Sequence, residues 1–237
     1  MGISAWEKIL PNQPFNSDQY IGAAPLEQAL YNTILWSSGV GAPEVNFRIE
    51  HTDLFTIEEM ASNAVALGFL TWLLRLIKAR RVLEIGTFVG VSAMYFARSL
   101  PPNGRVVTIE KFDHFAEIAR RNFAANGLDG KIELHEGDAH EVMSGLKDRG
   151  PFDLVFIDGN KERYADYFRL AQSMTSPHGV VAVDDVFFHG DALTDRPSSE
   201  KGRGVRDFLE LSADSTNWQR ILLPLSNGLM LMFNNGN

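Results

Sequence analysis

Five strand-like runs, most of them apolar and β-branched, recur along the chain with helical patterns between them: RVLEIG at 81–86, RVVTIE at 105–110, Lys131–His135, FDLVFID at 152–158 and GVVAVD at 179–184. A strand that is apolar on both sides must be covered on both faces, and strands separated by helices pair in parallel. Helical patterns over Ser92–Leu100, His114–Asn126, Ala139–Leu146, Tyr164–Thr175 and Val205–Leu211 supply the cover. Two further runs, Gln219–Leu223 and Leu229–Phe233, flank Asn227-Gly228, a dipeptide that signals a tight hairpin. The expected fold is therefore doubly wound α/β, a parallel sheet finished by an antiparallel hairpin. Such a sheet binds its ligand outside the carboxyl ends of the strands.

The remaining segments are less regular. Pro11, Pro14, Pro25 and Pro43 break residues 1–60 into short pieces, one of them a helix over Leu26–Ser37 with Leu26, Leu30, Ile34 and Leu35 on one face. A helix is expected from Thr56, with Glu58 and Glu59 in its first turn and Leu67, Leu70, Leu73, Leu74 and Ile77 as its stripe. Trp36 and Trp72 are assigned to the core or an interface. The stretch from Phe187 to Gly204 lacks an apolar period, and is read as a mobile lid or a plain excursion.

Composition excludes several chemistries. The 237 residues contain no cysteine, so disulfides, thiolate zinc sites and thiol nucleophiles are ruled out, and a reducing compartment is compatible. A net charge of −8 disfavours broad binding to nucleic acid or a membrane surface. The longest apolar-rich run, Ala64–Leu74, stops at Arg75, short of the roughly 20 residues that span a bilayer. No segment resembles a signal peptide, and a cytoplasmic protein is expected.

The strand ends carry the chemistry. Glu84-Ile85-Gly86-Thr87-Phe88-Val89-Gly90 leads into a helix through Ser92, a turn suited to a ligand at a helix N-terminus. It is neither a G-x-G-x-x-G dinucleotide motif nor a phosphate-binding loop ending in Gly-Lys-Ser/Thr. Glu110, at the next strand end, is placed to hold a ribose, and Asp138 of Gly137-Asp138-Ala139 to meet an adenine or to cap a helix. Asp158, Asp184 and Asp185 gather three carboxylates at adjacent strand ends. They repel unless a cation binds or one is protonated, and an all-oxygen set suits Mg²⁺ first, then Mn²⁺ or Ca²⁺. The alternative is helix caps and solvated acids. Lys161, three residues after Asp158, is a candidate general base or an exposed helix lysine.

In this order VLEIGTFVGVSA, VVTIE, EGDA, FIDGNK, VVAVDDV and a closing strand pair resemble the class I S-adenosylmethionine-dependent methyltransferases. More narrowly they are similar to the cation-dependent O-methyltransferases typified by the catechol and caffeoyl-CoA enzymes, from Met60 to Phe233. The resemblance implies a Rossmann-like, seven-stranded sheet with an antiparallel last strand. It divides the chain into an N-terminal extension, residues 1–59, that shapes the acceptor site or a dimer contact, and a methyltransferase domain at 60–237.

The resemblance also implies roles. Glu84, Gly86, Thr87 and Ser92, with Ser62 nearby, hold the methionine part of S-adenosyl-L-methionine; Glu110 holds the ribose, and Asp138 and Ala139 the adenine. Asp158 contacts the cofactor and, with Asp184 and Asp185, binds the divalent cation; Lys161 is the catalytic residue. The family usually has Asn where this chain has Asp185, and an acid of the plant-type FIDADK motif is replaced by Asn160.

The expected reaction is metal-dependent methyl transfer to a hydroxyl of a small vicinal-diol aromatic, with Phe187, Phe188 and His189 forming one wall for the acceptor. A homodimer is implied by the resemblance alone. The alternative is methylation of a hydroxyuridine in tRNA, which the acidic balance disfavours. A nicotinamide or nucleotide-sugar oxidoreductase lacks its glycine motif here, and a non-catalytic binding module would not need Lys161 beside the aspartates.

Overall fold

The computed structural model describes residues 37–39 and 43–236. The expected helix over Leu26–Ser37 and the side chain of Trp36 lie outside the described residues, apart from Ser37 itself. Short helices α1 (Pro43–Asn46) and α2 (Ile57–Met60) precede the long helix α3 (Ala64–Leu76). Then strand and helix alternate: β1 (Arg81–Ile85), α4 (Val91–Ser99), β2 (Arg105–Glu110), α5 (Asp113–Ala125), β3 (Ile132–Glu136), α6 (Ala139–Gly145), β4 (Phe152–Ile157), α7 (Tyr164–Met174) and β5 (Thr175–Val183). Helix α8 (Glu200–Asp214) and strands β6 (Trp218–Leu223) and β7 (Leu229–Asn234) complete the domain.

The seven strands form one sheet in the order β3-β2-β1-β4-β5-β7-β6. Strands β1 to β5 pair in parallel, and β7 runs antiparallel to both β5 and β6. The expected mixed sheet with its reversed last strand is therefore present. Side chains alternate across it. Val82 and Leu154 join α3, α4 and α5 in one apolar cluster through Leu67, Leu70, Met94 and Phe123. Leu83, Val155 and Val181 join α6, α7 and α8 in the other through Met143, Phe168 and Phe208. Each fully buried Leu or Phe contributes about 2 kcal/mol of transfer free energy. The described part of residues 1–59 belongs to the first cluster, through Phe47 and Ile57.

The structure corrects or narrows several sequence expectations. The helix expected from Thr56 is two: Thr56 closes a capping box around α2, Ala61 is extended, and Asn63 caps α3 by accepting from Val65 N–H. Trp72 is 59% exposed, so it is not in the core. The hairpin around Asn227-Gly228 is present, its loop being the five residues 224–228 between the paired Leu223 and Leu229. The segment 187–204 is folded instead of a plain excursion. It contains a short 3₁₀ stretch, Phe188–Leu193, and α8 begins at Glu200. Asp191 clamps it, accepting from the Ser198 and Ser199 amides at 2.7 and 3.1 Å and from their hydroxyls at 2.9 and 2.6 Å.

Candidate active site

Register brings the strand ends together. Ile85, Ile157 and Val183 are successive partners across β1, β4 and β5, so Gly86, Asp158 and Asp184 each follow at one level. The chain order reverses between β1 and β4, the crevice where open α/β sheets take ligands. A cavity of about 530 Å³ opens there, lined by Ser62, Gly86, Thr87, Ser92, Glu110, Ala139, Asp158, Lys161, Asp185, Phe188 and His189. These are sequence-predicted residues. Phe187 does not line it; its ring packs under the hairpin, where a Cβ on Gly228 would come within 2.9 Å of it.

At the β1 end, Gly86 has φ of 95°, and a Cβ there would run into the Asp158 carbonyl, so only glycine fits. Glu84 is completely buried. Its Oε2 accepts from Thr108 Oγ1 at 2.5 Å, while Oε1 has no partner. Burial lifts its carboxyl to about 8, against the pull of hydrogen bonds from Ser92 and Thr108 and with further lift from the Asp158 and Glu110 charges. Glu110 has a structural task the sequence did not show. Its Oε2 accepts from Thr87 and Phe88 N–H at 3.1 and 2.8 Å, and Oε1 from Phe112 N–H at 3.0 Å, fixing the turn after β1. Asp138 caps α6 through His140 N–H at 3.0 Å and meets Lys111 at 3.4 Å. Burial raises its carboxyl, but these partners outweigh it and the net shift is downward. Phe88, Phe112 and Phe115, which sequence reasoning passed over, line the same end, with Phe88 and Phe115 edge to face at 5.0 Å.

The other end of the cavity is ionic. Asp158 Oδ2 accepts from Ser62 Oγ at 3.2 Å, and Oδ1 stands 3.2 Å from Lys161 Nζ. The same ammonium is 2.9 Å from Asp185 Oδ2. Burial raises Asp158, reinforced by the Asp185 charge and opposed by Lys161 and Ser62. Burial and both neighbouring carboxylates push Asp184 well up, and its Oδ1 accepts from Asp185 N–H at 3.0 Å. Burial works against ionised Asp185, but Lys161 and the Asn227 side chain hold it low. Burial alone would depress Lys161, yet the neighbouring charges, Asp185 and Asp158 among them, raise it. Asp185 has φ of 58°, a left-handed conformation that a short polar side chain tolerates.

Asn227 is a further site residue that sequence reasoning missed, because Asn-Gly was fully explained as a turn. Its Oδ1 accepts from His189 N–H at 2.8 Å, and its main-chain carbonyl from Phe187 N–H at 2.8 Å. Tyr164 lies beneath Lys161, whose Nζ is 5.6 Å from the ring centroid.

The residues suit both expected small molecules. Glu84 Oε1 is a buried acceptor in want of a donor, as the ammonium of an amino acid moiety supplies. Asp158 and Asp185 converge on a cation, the Lys161 ammonium, and with Asp184 they form an all-oxygen donor set whose chemistry suits a hard divalent ion. Among the described residues no group of three or more acidic or histidine side chains is arranged to hold a metal ion. No helix among them is long and apolar enough to cross a membrane.

Comparison with known proteins agrees with this geometry. Residues 44–234 match the O-methyltransferase family model, and the chain belongs to that family. It is 36% identical over 158 residues to a catechol O-methyltransferase of Mycobacterium tuberculosis, covering 67% of this chain and 71% of that one. It is 34% identical over 142 residues to the catechol O-methyltransferase of Niastella koreensis, covering 59% of this chain and 64% of the relative, just under two thirds of its length. Among solved structures, the O-methyltransferase TomG of Streptomyces achromogenes, involved in tomaymycin synthesis and crystallised with SAM, superposes with a TM-score of 0.70 at 36% identity. That match covers 75% of this chain and 82% of TomG.

Proposed function

We propose that this protein moves a methyl group from S-adenosylmethionine to one hydroxyl of a small vicinal-diol aromatic, with a divalent cation, Mg²⁺ first, at Asp158, Asp184 and Asp185. The observation that carries this reading is the meeting of Asp158, Asp185 and Lys161 in the cavity that also holds Gly86, Ser92 and Glu110. The names of the M. tuberculosis and N. koreensis relatives support the acceptor class, and the SAM-bound TomG crystal the donor.

S-adenosylmethionine supplies a methyl carbon activated by a sulfonium; a divalent cation supplies Lewis acidity that lowers the pKa of an acceptor hydroxyl. The chain's part is alignment and proton handling. Glu84 and Ser92 hold the amino acid end, Glu110 the ribose and the Gly137–Ala139 segment the base. Phe188 and His189 form a wall against which a flat acceptor lies. Lys161 Nζ accepts the hydroxyl proton once Asp158 and Asp185 no longer bind it, since in the ligand-free arrangement they keep it charged. Glu59, just before the methyltransferase domain, lines the cavity.

The test is transfer of isotopic methyl from labelled S-adenosylmethionine to a panel of catechols, with Mg²⁺ and with chelator. Mono-methylated product that requires the metal supports the reading. Absence of transfer to any catechol overturns the acceptor class, and a rate indifferent to chelator overturns the metal role.

A further inference from the structure

Three carboxylates at neighbouring strand ends need positive charge close by, and the chain provides it itself. Lys161 follows Asp158 by three residues, a spacing that lets its side chain fold back over the strand end. Its Nζ makes two contacts, 3.2 Å to Asp158 and 2.9 Å to Asp185, with the lysine side chain only 15% exposed and the carboxylates 16% and 32%. Asp184, the third expected ligand, is turned onto the Asp185 N–H. The preformed arrangement is thus an ammonium between two carboxylates, and among the described residues no three-ligand metal cluster stands ready.

We propose that the Lys161 ammonium and a divalent cation occupy Asp158 and Asp185 in mutual exclusion, the lysine being a tethered counter-ion that the metal expels on entry. This rests on the metal-dependent reading above. A divalent ion bonds carboxylate oxygens at about 2.0–2.6 Å, whereas the ammonium already contacts those oxygens at hydrogen-bond distance. Two cations on the same pair of oxygens would stand about 4 Å apart with little water between them, and their repulsion opposes joint occupancy. Asp185 sharpens the competition. An amide there would offer the ammonium one neutral oxygen; the carboxylate gives it a second full charge. The effect is to join metal entry to release of the base, so that Lys161 is freed only in a loaded site.

The experiment measures free Mn²⁺ by electron paramagnetic resonance during titration of the full chain, its Lys161→Met variant and its Lys161→Arg variant. The expected result is at least tenfold tighter binding by Lys161→Met, with Lys161→Arg within threefold of the unaltered protein. Equal or weaker binding by Lys161→Met overturns the proposal and leaves the metal-dependent reading standing; absence of Mn²⁺ binding in all three overturns both. A second measurement needs no variant to be stable. In protein carrying ¹⁵N-lysine, the slowly exchanging ammonium signal of Lys161 is expected to vanish or move as Mg²⁺ saturates the site. A signal unchanged at saturation overturns the proposal.

Discussion

Thr108 Oγ1 lies 2.5 Å from Glu84 Oε2, and the other oxygen of that carboxylate is buried with nothing to accept from. Burial raises the carboxyl's pKa by more than Ser92 and Thr108 together lower it. An unpartnered buried carboxylate oxygen carries a cost, and that cost is measurable.

Glu84→Gln is accordingly expected to stabilise the ligand-free protein and to weaken cofactor binding. The folded-state pKa is raised to about 8, above an unfolded value near 4.3, so the folded form binds the extra proton between those limits. Stability attributable to Glu84 is therefore greatest at low pH and falls as pH rises through that window. Glutamine removes the dependence. Thermal melts of the two proteins at pH 5 and pH 8.5 should diverge at the higher value, with the variant melting a few degrees higher. Calorimetry should show at least a tenfold loss in S-adenosylhomocysteine affinity. An unchanged affinity would separate Glu84 from the cofactor.

Lys161→Ala should lower turnover at least a hundredfold, in line with the usual weight of a general base. Cofactor affinity should change less than threefold, because Lys161 faces the carboxylates and not the Glu84 pocket. Steady-state rates combined with cofactor titration check this. Loss of affinity with normal turnover would contradict the base assignment.

Asp191→Asn tests the clamp on segment 187–204. Four hydrogen bonds from Ser198 and Ser199 outweigh its burial and hold its carboxyl at about 2. Because this pKa is depressed, the stability it contributes is present above the unfolded value near 3.9 and is lost as pH falls towards 2. The variant should be less stable by about 1–2 kcal/mol at neutral pH. In urea melts the gap should narrow below pH 4; a gap independent of pH would mean the charge is irrelevant.

Asn227→Ala removes the acceptor for His189 N–H and a neighbour of Asp185. Acceptor kcat/KM should fall about tenfold, the order expected for one lost hydrogen bond of about 1.4 kcal/mol, with cofactor affinity unaltered. Parallel acceptor kinetics and cofactor titration distinguish this from general destabilisation, which would lower both.

The sheet was legible because β1, β2, β4 and the end of β5 are near-continuous apolar runs, as burial on two faces requires, whereas edge strand β3 alternates polar and apolar residues. The break at Ala61–Asn63 was not, since apolar spacing continues across it and only the two caps mark it. Helix α8 starts five residues before the Val205 expected from periodicity. Gly202 and Gly204 weigh against a helix locally, yet packing requires them: Cβ atoms there would meet the Asp191 carboxylate and the Lys161 and Glu162 main chain. At the site, the acids were found because charge at a buried strand end is conspicuous. The pairing of Lys161 with Asp185 depends on how the chain turns after β5, and the phenylalanines around the donor end read as ordinary core.

The wall that follows Asp185 hangs from the hairpin loop. Val186 and Phe187 donate their amides to the Gly228 and Asn227 carbonyls, and His189 donates to the Asn227 side chain. Strand β7, which carries that loop into place, lies between β5 and β6 although it follows β6 in the chain. A chain emerging from the ribosome therefore has the ends of β1, β2 and β4 in hand well before the loop that holds Val186, Phe187 and His189 has been made.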